Sequence, residues 1–152
     1  MAQSGVADVN MSTPYDGMTA LMFASYSNYD QREIVRMLIE RGADVNIKNS
    51  KGMTALMIAS RGGRTEIVRM LIERGADVNI KNSNGKTALM IASRGGRTEI
   101  VRMLIERGAD VNIKNSNGKT ALMLAKPGST VAPIIINQKK KIKKKNFLME
   151  KT

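Results

Sequence analysis

Two short apolar runs, separated by a pair of glycines, define the stretch of residues 85–117. The first run, residues 87–93, contains no helix breaker and begins with a threonine, which is suited to capping a helix. The second run places four apolar side chains on one helical stripe, with its charged residues mostly off that stripe: Ile100, Val101, Leu104 and Ile105. Gly95-Gly96 and Gly108 end these helices, and the polar residues 109–118 are typical of a loop closed by a tight turn. The pattern therefore predicts a helix, a turn, a second helix and a projecting loop.

This pattern repeats along the chain at a nearly fixed period. Residues 52–84 repeat residues 85–117 with a single change, Met53 in place of Lys86. A Gly-x-Thr-Ala-Leu-Met anchor recurs with spacings of 35, 33 and 33 residues, at Gly17, Gly52, Gly85 and Gly118. A period of this size predicts an all-α solenoid, in which each unit buries its apolar face against its neighbours.

The repeated residues resemble the ankyrin repeat in the Thr, Leu and Ala positions of the first helix, in Glu-Ile-Val and in Gly-Ala-Asp-Val-Asn. The resemblance covers roughly residues 7–125, and it implies helix-turn-helix units with projecting β-turn fingers. The family's Pro and His after this Thr are replaced by Ala and Met, the latter at Met22, Met57, Met90 and Met123. The His of the family's Gly-His pair is Arg64 or Arg97 here, and we expect packing to replace the inter-repeat hydrogen bonds that this His supports.

We expect the chain to divide into three segments. Residues 1–16 hold a partial repeat end and the N-terminal finger, because Ala-Asp-Val-Asn at residues 7–10 matches the end of each later unit. The chain is thus expected to begin at the tail of a repeat, either because the gene was truncated or because this loop is the natural edge. Residues 17–137 form the ankyrin repeat domain, whose degenerate last unit closes the stack with a short helix packed through isoleucines 134–136. Residues 138–152 form a basic tail that is expected to be disordered.

Positive charge is concentrated near the end of the chain. The whole sequence has a net charge of +12, of which residues 126–152 contribute +7 through eight lysines and one glutamate. Six of these lysines make up the cluster in the tail: Lys139, Lys140, Lys141, Lys143, Lys144 and Lys145. Such a lysine block indicates a nuclear import signal, a contact for a polyanion or simply a solvated low-complexity end.

The resemblance implies non-catalytic recognition of a protein partner through the fingers and the inward face of the first helices. The positions that it carries over form a basic row broken by small polar groups: Lys48, Lys51, Met53, Arg61, Lys81, Asn84, Lys86, Arg94, Lys114, Asn117 and Lys119. Tyr15 and Tyr26 join them as candidate contacts because tyrosine is favoured at interfaces, although the first unit also diverges as a cap would. The basic row favours an acidic partner. The alternative is that these loops only keep the solenoid soluble.

Two further hypotheses remain open at the level of the sequence. A polyanion-binding protein would use the lysine-rich tail and the basic fingers to hold nucleic acid or an anionic membrane. A consensus-like or recently duplicated array would have no evolved partner, since near-identical units argue against tuned specificity. We expect a monomer with weak self-association at its N-terminal end, where the first unit has no neighbour to cover its apolar area.

The composition argues against catalysis and bound cofactors. The chain has no His and no Cys, which removes most catalytic triads, cysteine nucleophiles and transition-metal sites. Gly-Lys-Thr at residues 85–87 and 118–120 mimics the end of a phosphate loop but lacks the earlier glycine. We therefore expect no enzyme, no metal, no cofactor and no small-molecule substrate. Without cysteines, a signal peptide or an apolar span, the sequence favours an intracellular protein, cytoplasmic or nuclear.

Overall fold

The computed structural model describes residues 8–152 as a row of helical hairpins joined by extended loops. Within these residues the helices are α1 (Ala20–Tyr26), α2 (Arg32–Glu40), α3 (Ala55–Gly62), α4 (Thr65–Glu73), α5 (Ala88–Arg94), α6 (Thr98–Glu106), α7 (Ala121–Leu124) and α8 (Val131–Glu150). Each unit contributes one odd-numbered and one even-numbered helix, in the order that the hydrophobic pattern predicts. The all-α solenoid is therefore confirmed.

Local signals in the sequence set the limits of the first helices. The hydroxyl of Thr87 accepts a hydrogen bond from the backbone N–H of Met90 at 3.3 Å, and the two preceding units make the same bond. Thr120 makes no such bond, and α7 extends over only 4 residues. Gly63 ends α3 in the left-handed conformation with a φ of 70°, which glycine adopts without steric cost.

The hairpins stack so that the first and second helices form separate layers. Helices α1, α3, α5 and α7 contact one another in sequence, and α2, α4, α6 and α8 do the same in the second layer. Leu89, in the first helix of a central unit, is 1% exposed. Of the stripe predicted in α6, Ile100, Val101 and Leu104 are buried and Ile105 is partly buried. The core thus lies between the layers and between neighbouring units.

The Asn that ends the Ala-Asp-Val-Asn segment joins its unit to the next one at Asn10, Asn46 and Asn79 but, among the described residues, not at Asn112. Asn46 Oδ1 accepts from the backbone N–H of Asp77 at 2.8 Å, and Asn46 Nδ2 donates to the carbonyl of Gly75 at 3.2 Å. Asn79 repeats both bonds one unit later. Asn10 begins the series by accepting from the backbone N–H of Asp44 at 2.7 Å. This segment is therefore an inter-unit connection as well as a turn.

The arginines that replace the family's histidine also make hydrogen bonds between units. Arg64 Nη2 donates to Asn28 Oδ1 at 2.6 Å, and Arg97 Nη2 donates to the carbonyl oxygen of Arg61 at 3.3 Å. Our expectation that packing alone replaces these bonds was wrong at both positions. The guanidinium combines a long stem with several donors, so it reaches partners in the preceding unit.

The methionine of the Thr-Ala-Leu-Met anchor, by contrast, contributes through packing. Met22, Met57 and Met90 are each 1% exposed, in the first three units. Met123 is 65% exposed, because α7 is the last helix of the first layer and no further unit covers it. In the first three units the flexible thioether therefore fills a place in the core at this position.

The outer face of the first unit leaves apolar area uncovered. Ile34 in α2 is 48% exposed, whereas the equivalent Ile67 and Ile100 are 4% and 1% exposed. The difference arises because a preceding second helix covers these positions in the later units. Self-association through this face stays a prediction.

The basic tail is helical rather than disordered. Residues 138–150 continue α8, which runs without a break from Val131 to Glu150. Val131 and Ile135 are fully buried against the last unit and give the helix a packed beginning. Once such a nucleus exists, the following Lys, Gln, Leu and Met residues extend it readily, because they are good helix formers. The prediction of disorder was therefore wrong.

The isoleucines of α8 do not share one environment. Ile135 is fully buried, Ile134 is partly buried and Ile136 is 42% exposed, because consecutive residues point to different sides of a helix. The closing helix predicted here is present, but one of its isoleucines faces outward. No helix within residues 8–152 combines the length and the apolar content that crossing a membrane requires.

Candidate functional site

The second, third and fourth fingers are the turns that lead into Gly52, Gly85 and Gly118. Each of them is braced by one asparagine at its base. Asn49 Oδ1 accepts from the backbone N–H groups of Lys51 and Met53, both at 2.9 Å. Asn82 and Asn115 repeat this pair of bonds in the next two fingers. An asparagine placed in this way satisfies the turn internally and holds the finger in one conformation.

Neighbouring fingers are also bonded to one another through the backbone. The N–H of Ser50 donates to the carbonyl of Asp16 at 2.9 Å, and the N–H of Ser83 donates to the carbonyl of Lys51 at 3.1 Å. The approach is close at Gly52, where a Cβ would lie 2.8 Å from the backbone nitrogen of Ser83. The fingers therefore form a continuous ribbon that holds their side chains in register.

A groove of about 1020 Å³ runs between this ribbon and the first helices. Cationic side chains line both of its sides: Lys51 and Lys86 from the fingers, and Arg61 and Arg94 from the ends of α3 and α5. Among the described residues, Asp16 is the one acidic side chain in the lining. We call this the inner groove.

The inner groove also has an apolar floor. One position of each first helix lines it, the residue directly after the methionine of the anchor: Phe23, Ile58, Ile91 and Leu124. Ile58 is the least accessible of them, at 4% exposure. Phe23 is 52% exposed and lies with Tyr26 at the N-terminal end, so this end is aromatic. A bound segment would meet both positive charge and apolar surface along the same trough.

A comparison with known protein families adds an independent observation. A family model described as ankyrin repeats in three copies matches residues 2–82 and 75–146, which together take in nearly the whole chain. The chain belongs to the ankyrin repeat family. Ankyrin repeats are generally protein–protein interaction modules.

Seven of the predicted contact residues lie in the inner groove. These are Tyr26, Lys51, Met53, Arg61, Asn84, Lys86 and Arg94. Met53 differs from our prediction because it is only 7% exposed, and its sulfur accepts a hydrogen bond from Asn82 Nδ2 at 3.3 Å. It supports the neighbouring finger instead of presenting a free side chain, since the next finger packs over it.

The other predicted contacts are placed outside the inner groove. They are Tyr15, Lys48, Lys81, Lys114, Asn117 and Lys119, all of them exposed on the fingers. Tyr15 is 97% exposed at the turn of the first finger. The lining of the groove includes no residue of the last finger, and this leaves Asn117 and Lys119 outside it. The six clustered lysines of the tail lie on α8.

The apolar floor of the inner groove was not predicted from the sequence. The signal was present, because Ile58 and Ile91 each lie three residues before a predicted arginine, Arg61 or Arg94. Residues three apart share one face of a helix. The two isoleucines differ in exposure, because Ile58 is 4% exposed and belongs to the core whereas Ile91 is only partly buried.

Hydrogen bonds lower the pKa of two carboxyl groups, those of Asp16 and Asp30. The hydroxyl of Thr13 donates to Asp16 and holds the pKa of that carboxyl below its usual value. Outside the groove, the Arg32 guanidinium donates to Asp30, with Nη2 2.6 Å from Oδ2, and lowers the pKa of Asp30 to about 2. Both groups are therefore anionic at neutral pH. Within residues 8–152, no three acidic side chains come together in a way that could hold a metal ion.

Proposed function

We propose that the inner groove binds an acidic segment of a protein partner, and that the protein acts by binding rather than by catalysis. One observation carries this proposal: Lys51, Arg61, Lys86 and Arg94 border a single trough with an apolar floor. Complementary charge speeds the encounter and sets the register of a partner, while the apolar contacts hold it.

The distribution of charge supports binding of the partner segment in one orientation along the groove. Cations line the middle of the inner groove, whereas Asp16 lies at the end formed by the first finger. Phe23 and Tyr26 lie at this same end. We therefore propose that the segment places its carboxylates against Arg61 and Arg94 and an apolar side chain against the aromatic end.

The shape of the trough favours a macromolecular segment over a small molecule. Small-molecule sites enclose most of the ligand surface in a cleft. Here the lining extends from Asp16 in the first finger to Leu124 in α7, along the whole row of first helices. A chain segment can follow such a row, with each unit contributing a few contacts.

The experiment that tests the proposal is selection of peptides from a random displayed library on the full-length protein. We expect the selected peptides to be rich in Asp and Glu and to carry an apolar residue at a fixed distance from them. The variant Arg61→Glu with Arg94→Glu should weaken binding of these peptides by roughly tenfold to a hundredfold, because close charge pairs at interfaces contribute on that scale.

A matched variant controls for the change in net charge. Arg41→Glu with Arg74→Glu reverses the same number of charges at exposed positions that follow α2 and α4, outside the inner groove. It should leave peptide binding within about twofold of the parent. Equal losses in the two variants, or selected peptides without acidic residues, would refute the proposed groove specificity.

A further inference from the structure

The last part of α8 leaves the stack and has no packing partner. Ile142 is the last residue of the helix that is partly buried against the core. Every residue from 143 to 152 is exposed, although the helix continues to Glu150. At 1.5 Å per residue, about 12 Å of helix projects beyond the protein body. We call residues 139–152 the α8 end.

The α8 end carries a dense and unneutralised positive charge. Six of the seven residues from 139 to 145 are lysines, and Glu150 is the single acidic residue in residues 126–152. None of the ion pairs formed among the described residues involves these lysines. Successive residues of a helix are 100° apart, so the lysines surround most of its circumference. Such a concentration of charge within two turns attracts an anionic surface.

Large apolar side chains follow directly after the lysines. Phe147, Leu148 and Met149 are 56%, 56% and 66% exposed. Leu148 and Met149 line a shallow groove of about 440 Å³ together with Lys141, Lys144 and Lys145. The walls of this groove include the methylene stems of the lysines, so apolar surface extends along the helix beneath the ammonium groups.

We propose that the α8 end binds the surface of an anionic lipid bilayer. The lysine ammonium groups would contact lipid headgroups, while Leu148 and Met149 enter the boundary between headgroups and acyl chains. A cluster of four to eight basic residues on a helix is the pattern that anionic leaflets attract, and buried apolar side chains add to the affinity. This function is separate from that of the inner groove, which lies between the fingers and the first helices.

The apolar residues distinguish a bilayer from the other anionic or helical partners. Duplex nucleic acid would contact the lysines but would leave Leu148 and Met149 in water. Binding of single strands relies on several aromatic platforms, whereas the α8 end has Phe147 alone, with Lys151 Nζ 5.1 Å from the centre of its ring. A helix that docks in a protein groove presents its anchors three and four residues apart, but residues 147–149 are consecutive.

The proposal is tested by co-sedimentation of the full-length protein with lipid vesicles. We expect binding to phosphatidylcholine vesicles that contain phosphatidylserine, and no binding to vesicles of phosphatidylcholine alone. The variant Lys143→Gln, Lys144→Gln, Lys145→Gln should bind the anionic vesicles on the order of a hundredfold more weakly, because each lysine near such a surface contributes roughly a fivefold change. The variant Leu148→Ser with Met149→Ser should bind roughly tenfold more weakly.

A charge-matched control separates the α8 end from the general basicity of the protein. Arg41→Gln, Arg74→Gln, Arg107→Gln also removes three positive charges, at exposed positions after α2, α4 and α6. It should retain vesicle binding within about threefold of the parent. The chain contains no Trp, so Leu148→Trp supplies a single fluorophore, on the face proposed to enter the bilayer, whose emission should shift to the blue with anionic vesicles.

Three results would overturn the proposal. One is equal loss of vesicle binding in the control and in the lysine variant. Another is an unshifted Trp emission in the presence of bound vesicles. The third is binding to a short duplex DNA that is as tight as binding to the vesicles and insensitive to the Leu148 and Met149 substitutions, which would assign the α8 end to nucleic acid.

Discussion

The side chain of Asn46 bonds to the backbone N–H of Asp77, 31 residues further along the chain, with 2.8 Å between Oδ1 and the nitrogen. Its Nδ2 donates to the carbonyl of Gly75 in the same unit as Asp77. One side-chain amide thus bonds both to a backbone donor and to a backbone acceptor of the neighbouring loop. Because the same residue type recurs at the same place in each unit, its contribution is testable with a control inside the same chain.

We expect Asn46→Ala to lower the free energy of unfolding by roughly 1–3 kcal/mol, because it leaves the partners in the next loop without their hydrogen bonds. Asn112→Ala is the matched control: Asn112 is the equivalent residue of the last complete loop, and among the described residues its side chain makes no bond to another unit. Denaturant unfolding of both variants measures the difference. Equal changes in stability would show that the bonds between units contribute nothing.

The ribbon of fingers predicts a position-dependent cost for one small substitution. Gly52 and Gly118 occupy equivalent turns with φ values of 73° and 75°, so an alanine is conformationally strained to a similar degree at both. A Cβ at Gly52 would lie 2.8 Å from Ser83 N, whereas a Cβ at Gly118 would meet no atom within 4 Å. We expect Gly52→Ala to cost about 1–3 kcal/mol more than Gly118→Ala, the range for overpacking. Thermal unfolding of the two variants checks this, and indistinguishable melting temperatures would contradict the close contact.

The centre of the stack should depend most strongly on its leucines. Leu89 is 1% exposed in α5, between α3 and α7. Leu89→Ala should lower the free energy of unfolding by ~2–5 kcal/mol, the usual range for a buried leucine. Ser83→Ala, at an exposed finger position, should change it by less than about 0.5 kcal/mol. A neutral Leu89→Ala in denaturant melts would place the core elsewhere.

The pKa of Asp30 gives a prediction that depends on pH. Since Arg32 lowers this pKa to about 2, below the value of about 3.9 for an unfolded chain, the ion pair stabilises the fold above that unfolded value. This stability is lost as the pH falls through the folded pKa. An NMR titration of the Asp30 carboxyl should therefore have a midpoint near 2 in the parent, and Arg32→Gln should raise it. Arg36→Gln is the control because Arg36 pairs with Glu33, and an equal rise in that variant would exclude a specific effect of Arg32.

Much of this fold is visible in the sequence because its determinants are local and repeated. The threonine caps, the glycines at the helix ends and the apolar stripe of α6 each lie within a few residues of the structure they determine. Arg61 and Arg94, which were predicted on the inward face of the first helices, both line the inner groove. The repetition of these signals in phase made the assembly of units predictable as well.

The errors arose where a distant contact decides the outcome. Met53 is buried by the neighbouring finger, and Arg64 finds its acceptor 36 residues earlier in the chain. The tail is helical because Val131 and Ile135 are packed against the preceding unit, which its lysine-rich composition does not reveal. Periodicity within one unit carries no information about such partners.

The two central units have a consequence for how this molecule changes in length over evolution. Residues 52–84 and 85–117 differ at one position, and each is bonded to the preceding unit through that unit's asparagine and through the backbone ribbon. An in-frame duplication of either segment would therefore insert a unit whose surfaces already match those on both sides. The inner groove would gain one arginine and one isoleucine, so a single recombination event would lengthen the groove without disturbing its ends.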